Sequence, residues 1–308
     1  MHTALVIPTF NAARYLDALL PALSKQRARL DTVLIIDSSS KDDTTARCKA
    51  WGARVEVIDS RTFNHGGTRE LARRWLPEAD VLIYMTQDAI PVDADALSNL
   101  RNALFSEADV GVAYGRQIPH EDASVLARQA RAFNYPPHSR TKRLKDADKF
   151  GIKTCFSSDS FAAYRADALA DIGGFPSDVI GSEDAYVAAK ILLAGKAVRY
   201  EASAVVRHSH NYSLAQEFRR YFDIGVFYGR ERWLRAAFGA ANREGKRFVK
   251  AEMDALRAAG QSWRIPEAGL RTALKLLGYK LGFAERYLPT GLKRSISMFP
   301  GYWRERAH

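Results

Sequence analysis

Three polar clusters close apolar runs in the first third of the chain. They are Pro8-Thr9-Phe10-Asn11, then Asp37-Ser38-Ser39-Ser40-Lys41-Asp42-Asp43-Thr44, then Thr86-Gln87-Asp88-Ala89. Hydroxyl and carboxylate groups at adjacent strand ends can hydrogen-bond a base and a ribose. Asp42 and Asp43 precede a helical pattern and read as caps. Asp37 and Asp88 end buried strands and read as ligand-binding groups. In Phe63-Asn64-His65-Gly66-Gly67-Thr68-Arg69 the glycines permit close backbone approach, and Arg69 can meet a phosphate or base. A plain tight loop is the other reading of that segment. Gly181-Ser182-Glu183-Asp184 stands at a loop-to-helix junction, where a carboxylate can complement the helix dipole or act as a general base. The dipole is expected to keep Asp184 ionised at neutral pH. In His208-Ser209-His210, alternation turns both imidazoles to one side of an extended segment, where they can join a carboxylate around a divalent metal.

The elements that must carry these groups alternate as βαβ units do. Aliphatic runs at 4–7, 33–36, 55–58, 81–85 and 110–113 are separated by helical spacing, as in Tyr15, Leu16, Leu19, Leu20 and Leu23. Strands apolar throughout are buried on both faces, which predicts a mostly parallel sheet sandwiched by helices. Ligands of such sheets gather beyond the carboxyl ends of the strands. Pro136, Pro137 and the basic run 140–145 read as a mobile loop. A strand over 161–164 leads to a helix stopped by Gly173-Gly174, and a helix over 184–193 leads to a strand near 197–206. From about Ser213 onward the chain reads as helical, aromatic and basic.

Composition excludes several classes. The formal charge of +11 comes from 46 basic against 35 acidic residues and implies basic surface regions. Only Cys48 and Cys155 occur, without neighbours at ligand spacing, so a disulfide framework or structural zinc is not expected and a reducing cytoplasm fits. Neither a signal peptide nor an apolar run of roughly 20 residues is present, which predicts a soluble or peripheral protein. No G-x-G-x-x-G fingerprint or Walker lysine loop follows the first strand, against a dinucleotide enzyme or an ATPase.

The order of the motifs is the strongest signal. PTFN, DSSSKDDT, TQDAIP, SFAAYRADALADIGGF and SEDAYVAAKILLAGKAVRYEASAVVRHSHNYS together resemble family-2 glycosyltransferases over about residues 3–213. FNHGGTR and TQDAIP, with RHSHNYS and RRYFDIGVF, look most like that family's bacterial rhamnosyltransferases. The resemblance implies an α/β fold of the GT-A type: a Rossmann-like, mostly parallel sheet flanked by helices, with a helical basic C-terminal extension. A nucleotide-binding half would cover about 1–117, an acceptor half about 118–213, and the extension 214–308. It also implies inversion of anomeric configuration, one carboxylate base and a divalent cation, Mg²⁺ or Mn²⁺. Carried over, Thr9, Asn11 and Asp37 match positions around the nucleoside, and Ser39, Arg69, Gln87 and Asp88 complete the expected nucleotide-sugar contacts. Asp88 matches the last carboxylate of the family's Asp-x-Asp metal motif, whose first Asp is here Thr86. His208 matches the metal-side histidine, with His210 its alternative. Asp184 matches the base, with Glu183 a possible substitute.

The expected reaction moves a sugar, L-rhamnose from thymidine-diphosphate rhamnose, to a hydroxyl of a glycan or lipid-linked saccharide during cell-surface polysaccharide assembly. A uridine-diphosphate sugar is the alternative donor. The rival from another class is a non-catalytic basic module for nucleic acid or membrane, suggested by aromatic and basic residues interleaved over 219–235. No nucleic acid is expected for the enzyme. The basic tail is expected either to meet an anionic membrane on its inner face or to pack on the catalytic domain or a second subunit.

Overall fold

The computed structural model describes residues 1–240 and 244–304. Its strands are β1 (Thr3–Thr9), β2 (Thr32–Asp37), β3 (Arg54–Val57), β4 (Val81–Met85), β5 (Ile90–Pro91), β6 (Val110–Ile118), β7 (Arg140–Lys142), β8 (Phe161–Arg165) and β9 (Ala197–Arg207). They form one sheet in the order β3-β2-β1-β4-β8-β6-β9-β5, with β7 added on β9. The first four run parallel, β8 enters antiparallel between β4 and β6, and β6 and β9 are again parallel.

The sheet is buried on both faces. Ala4 and Val6 of β1 and Leu82 and Tyr84 of β4 join one apolar cluster. Leu5, Ile7, Val81, Ile83 and Met85 join the other. A strand's two-residue period thus explains why these runs contain no polar alternation. Helices α1 (Ala13–Ser24), α2 (Thr44–Ala50), α3 (His65–Trp75), α4 (Ala96–Ala103), α5 (Val125–Asn134), α6 (Ala147–Phe150), α7 (Ala166–Asp171) and α8 (Glu183–Leu193) follow the strands or fill the connections. Leu16, Leu19 and Leu23 of α1 and Leu97 and Leu100 of α4 cover one face; Ala72 of α3 and Val187 and Ile191 of α8 lie on the other.

The basic run 140–145 is not a loop throughout. Arg140–Lys142 forms β7, and Lys142 is buried with its Nζ donating to the carbonyls of Lys153 and Phe156 at 3.0 and 2.8 Å. Arg143 pairs with Asp109 at 2.7 Å and with Glu107 at 2.5 Å. Acidic partners distant in sequence neutralise Arg143, and the run's local charge density conceals them.

Past residue 213 lie α9 (Leu214–Arg230), α10 (Arg232–Phe238), α11 (Glu244–Ala258), α12 (Ile265–Phe283) and α13 (Thr290–Ile296). Phe222, Val226, Phe227, Leu234, Phe238 and Trp303 from this segment belong to the same apolar cluster as Tyr84 and Tyr164 of the sheet. α9 and α12 meet through four glycines. A Cβ on Gly282 would lie 1.9 Å from the Phe222 carbonyl oxygen, and one on Gly225 would lie 2.2 Å from that of Tyr279. Gly229 and Gly278 are similarly tight against Phe283 and Phe218. Gly282→Ala should therefore destabilise the fold by roughly 1–3 kcal/mol through overpacking. Gly269→Ala on the same helix, where a Cβ meets nothing within 4 Å, is the matched control and should be neutral or mildly stabilising. Thermal melts of the two variants decide this, and equal melting points would contradict the close helix contact.

Candidate active site

The ends of β4 and β9 bring together one carboxylate and two imidazoles. β9 continues its ladder one residue beyond Arg207, with the His208 amide donating to the Ile118 carbonyl at 2.9 Å. His208 Nε2 then lies 3.5 Å from Asp88 Oδ1, and His210 Nε2 lies 3.8 Å from Asp88 Oδ2. One donor atom from each residue fits within a 4.8 Å cluster. Gln117, from β6, orients the first ring. Its Oε1 accepts from Arg131 Nη1 at 2.5 Å and faces His208 Nδ1 at 2.8 Å. Arginine only donates, so it fixes the amide oxygen there, and Nδ1 must carry the proton. Burial lowers the pKa of His208 and pushes His210 down to about 4, so both rings are neutral at pH 7. A neutral Nε2 lone pair facing a carboxylate oxygen leaves two acceptors without a proton between them. A cation satisfies that arrangement, and His, His and Asp are a donor set for a divalent metal.

A second cluster gathers at the start of α8. Arg69 of α3 is 3% exposed; its Nε lies 3.1 Å from Asp159 Oδ2 and its Nη1 lies 2.8 Å from Glu183 Oε1. Tyr164 donates to Asp159 Oδ1 at 2.5 Å. Asp184 sits beside this group, its Oδ1 accepting from the Ala185 amide at 2.7 Å. Burial first, then the charges of Glu183 and Asp159, push Asp184 up to about 8. The helix dipole does not keep this carboxyl ionised, as the sequence had suggested. Three carboxylates share one arginine, and repulsion with desolvation overcomes the dipole.

The glycines of the Phe63–Arg69 segment do admit a close backbone, but it belongs to the protein. A Cβ on Gly66 would lie 1.9 Å from the Pro176 carbonyl oxygen. Arg69 accordingly points at Asp159 and Glu183, where it organises carboxylates.

Both clusters line one cavity of about 510 Å³. His65 Nε2, Thr86 Oγ1 and Ser157 Oγ are buried on its wall without a well-formed hydrogen bond. Buried polar atoms rarely go unmatched, so three in one cavity mark a place where a polar ligand belongs.

Thr9 and Asp37 close β1 and β2, and Asn11, Ser39 and Gln87 lie on the loops that follow β1, β2 and β4. Thr9 Oγ1 donates to Asp37 Oδ2 at 2.9 Å, and the Ser40 amide donates to Asp37 Oδ1 at 2.7 Å. Asn11 and Ser39 adopt left-handed φ values of 47° and 60°. Asn11 Oδ1 accepts from the Lys41 amide at 2.8 Å, and Ser39 Oγ donates to the Ile58 carbonyl at 2.7 Å. Gln87 clamps Phe10, accepting from its amide at 2.8 Å and donating to its carbonyl at 3.2 Å. These side chains shape a ledge at the carboxyl ends of β1, β2 and β4, adjoining Asp88. Asp42 bonds the amides of Thr44 and Ala13, both at 3.1 Å, as a loop-bracing residue should.

Sequence reasoning missed Asp159, Gln117, Arg131 and the 297–299 segment. Asp223 is pushed up to about 7 by burial and accepts from Ser297 Oγ and the Met298 amide, both at 2.7 Å, which brings Met298 and Phe299 to the cavity wall. Asp159 follows two serines just before β8, and its place at a strand's entry was the available signal.

A Rossmann-like half-sheet, a polar ledge at its strand ends and a carboxylate–imidazole cluster beside a carboxylate at a helix start define a nucleotide-sugar-dependent transferase of the GT-A type. The chain belongs to glycosyl transferase family 2, whose model matches residues 4–173. It is 46% identical over 304 residues to the O-antigen chain rhamnosyltransferase RfbN of Salmonella typhimurium strain LT2, covering 98% of this chain and 96% of that protein. To the O-antigen chain rhamnosyltransferase WbaN of Salmonella anatum it is 44% identical over 301 residues, covering 97% and 95%. Among solved structures, the mannosyltransferase PcManGT from Pyrobaculum calidifontis, in complex with GDP-Man and Mn²⁺, matches with a TM-score of 0.57 at 19% identity. That match covers 98% of this chain and 84% of that one, and shows the shared fold. Family membership removes the non-catalytic basic module. No helix among the described residues is long and apolar enough to cross a membrane.

Proposed function

We propose that this glycosyltransferase transfers L-rhamnose from thymidine-diphosphate rhamnose to a hydroxyl of a growing O-antigen glycan, with inversion at the anomeric carbon. The observation that carries the mechanism is the single cavity shared by Asp184 and the Asp88–His208–His210 cluster. The sugar identity draws on the two O-antigen rhamnosyltransferase relatives, which align along nearly the whole chain. The nucleotide-sugar donor supports a reaction on the cytoplasmic side.

Asp88, His208 and His210 would hold a divalent cation, Mg²⁺ or Mn²⁺, which supplies charge neutralisation at the diphosphate. Gln117 keeps the proton on His208 Nδ1 and leaves Nε2 free to bind. Thr9, Asn11, Asp37, Ser39 and Gln87 form the ledge on which the nucleoside would rest. Ionised Asp184 takes the acceptor hydroxyl's proton as that oxygen bonds to the anomeric carbon. The bond from that carbon to the diphosphate oxygen breaks, and its electron pair leaves with the nucleotide. One displacement inverts the centre. Glu183 and Asp159 hold Arg69 and raise the basicity of Asp184.

Gln117→Ala should weaken Mn²⁺ binding by about 10–100-fold, since the partner that sets the ligand's tautomer is gone. Calorimetric titration reads this directly, and unchanged affinity would remove Gln117 from the metal's support. The donor assignment is tested by nucleotide release across thymidine- and uridine-diphosphate sugars with a saccharide acceptor. Thymidine-diphosphate rhamnose should turn over fastest, and a faster uridine sugar would overturn the assignment.

A further inference from the structure

α12 is built inside out for a helix at a water-facing surface. Its inward face is closed by Gly278 and Gly282, packed against the α9 backbone, where a Cβ would lie 2.5 and 1.9 Å from carbonyl oxygens. Its exposed positions are Pro266, Gly269, Leu270, Ala273, Leu276, Leu277 and Lys280. Leu270, Leu276 and Leu277 are 49%, 54% and 50% exposed. A surface helix in water turns its leucines inward and its charges outward. Here the fully buried positions are Ala268, Gly278 and Gly282, while three leucines face out, an arrangement seen in helices whose outer neighbour is lipid. The helix's own carboxylate, Glu267, is drawn away by Arg264 and Arg271, both at 2.9 Å, so the exposed strip carries one charge, a lysine.

The flanks extend the pattern. Trp263 precedes the helix at 76% exposure, and Tyr287 and Leu292 follow it at 73% and 44%. Tryptophan and tyrosine with such exposure suit the headgroup layer, where an apolar ring and a polar edge are both satisfied. Lys280, Arg286 and Arg294 are exposed and make no ion pair among the described residues. Apolar side chains followed, at the helix's C-terminal end and just beyond it, by cations without ion pairs are complementary to an anionic bilayer surface. Two copies meeting through this strip would bring like charges together, against self-association.

We propose that the exposed strip of α12, with Trp263, Tyr287 and Leu292, docks the enzyme on an anionic lipid bilayer. The helix lies in the interface without crossing it. The inference deepens the proposed transfer reaction and rests on it for its purpose, delivery of the cavity to an acceptor carried on lipid.

The test is flotation of the full chain with vesicles of phosphatidylglycerol and phosphatidylcholine, beside vesicles of phosphatidylcholine alone. The native chain should float with the anionic vesicles. Leu270→Gln/Leu276→Gln/Leu277→Gln should abolish binding to both kinds. Lys280→Glu/Arg286→Glu/Arg294→Glu should weaken binding to anionic vesicles alone, by on the order of a hundred-fold for three cations near a charged surface. None of these residues lines the catalytic cavity, so rhamnosyl transfer to a water-soluble acceptor should be unchanged in both variants. That assay reports the transfer reaction separately from docking. Failure of the native chain to float, or flotation of both variants like the native chain, overturns the proposal. So does sedimentation as a dimer that the leucine variant dissociates without vesicle binding, which would make the strip a subunit contact.

Discussion

Asp184→Asn is expected to lower the transfer rate by about a hundred-fold or more while donor affinity changes little. The substitution keeps the side chain's shape and its contact with the Ala185 amide but removes the proton acceptor. Because burial and the charges of Glu183 and Asp159 push Asp184 up to about 8, the native enzyme should show a kcat/KM that rises as pH increases through about 8. That acidic limb reports loss of the proton from the base. Asp159→Asn removes one like charge and should move the limb to lower pH. A stability effect of opposite sign accompanies the loss of rate. The unfolded carboxyl ionises near its ordinary value of 3.8, whereas the folded one holds its proton up to about 8. The fold therefore binds more protons across that window, and the aspartate's cost to stability grows from about pH 4 to about pH 8 before levelling. Asp184→Asn should melt higher than the native chain at pH 8 and equally near pH 3. A near-normal rate for Asp184→Asn with a collapsed rate for Glu183→Gln would reassign the base to Glu183.

Asp88→Asn should nearly abolish turnover and weaken donor binding. Asp88 is the carboxylate in the three-residue cluster, and both imidazoles face it. An amide keeps one neutral oxygen but loses the charge that anchors a divalent ion. Chelator should abolish native activity, and Mn²⁺ or Mg²⁺ should restore it. For the Asn variant the cation concentration needed should rise steeply. His208→Ala should follow the same course, and His210→Ala a milder one, since its ring is more exposed than His208's. Full activity of Asp88→Asn in excess chelator would show that the reaction needs no cation at this cluster.

The sheet's parallel half was legible because β1, β2 and β4 each carry an unbroken apolar run (4–8, 33–36 and 81–85), which burial on both faces explains. The strand-end polar residues followed from it. β7 was hidden because Arg140–Lys142 looks like solvated charge, and its pairing with β9 depends on partners some 60 residues away. Asp159 offers only its place at the entry to β8 as a local signal, since its role lies in Arg69 and Glu183, which only the fold brings near. The same tertiary crowding reverses the ionisation expected of Asp184, which a helix-end argument places on the wrong side of neutrality. The glycines of α9 and α12 show no motif that ties one helix to the other; the tight contact is visible only once both are placed.

The most direct test is the anomeric configuration of the product, read by nuclear magnetic resonance after transfer from thymidine-diphosphate β-L-rhamnose in the presence of Mn²⁺. Direct displacement with Asp184 as base gives an α-linked rhamnoside, and Asp184→Asn should make the same product far more slowly. A β-linked product would contradict the account, because retention requires either two displacements or front-face departure and leaves Asp184 without its role as base.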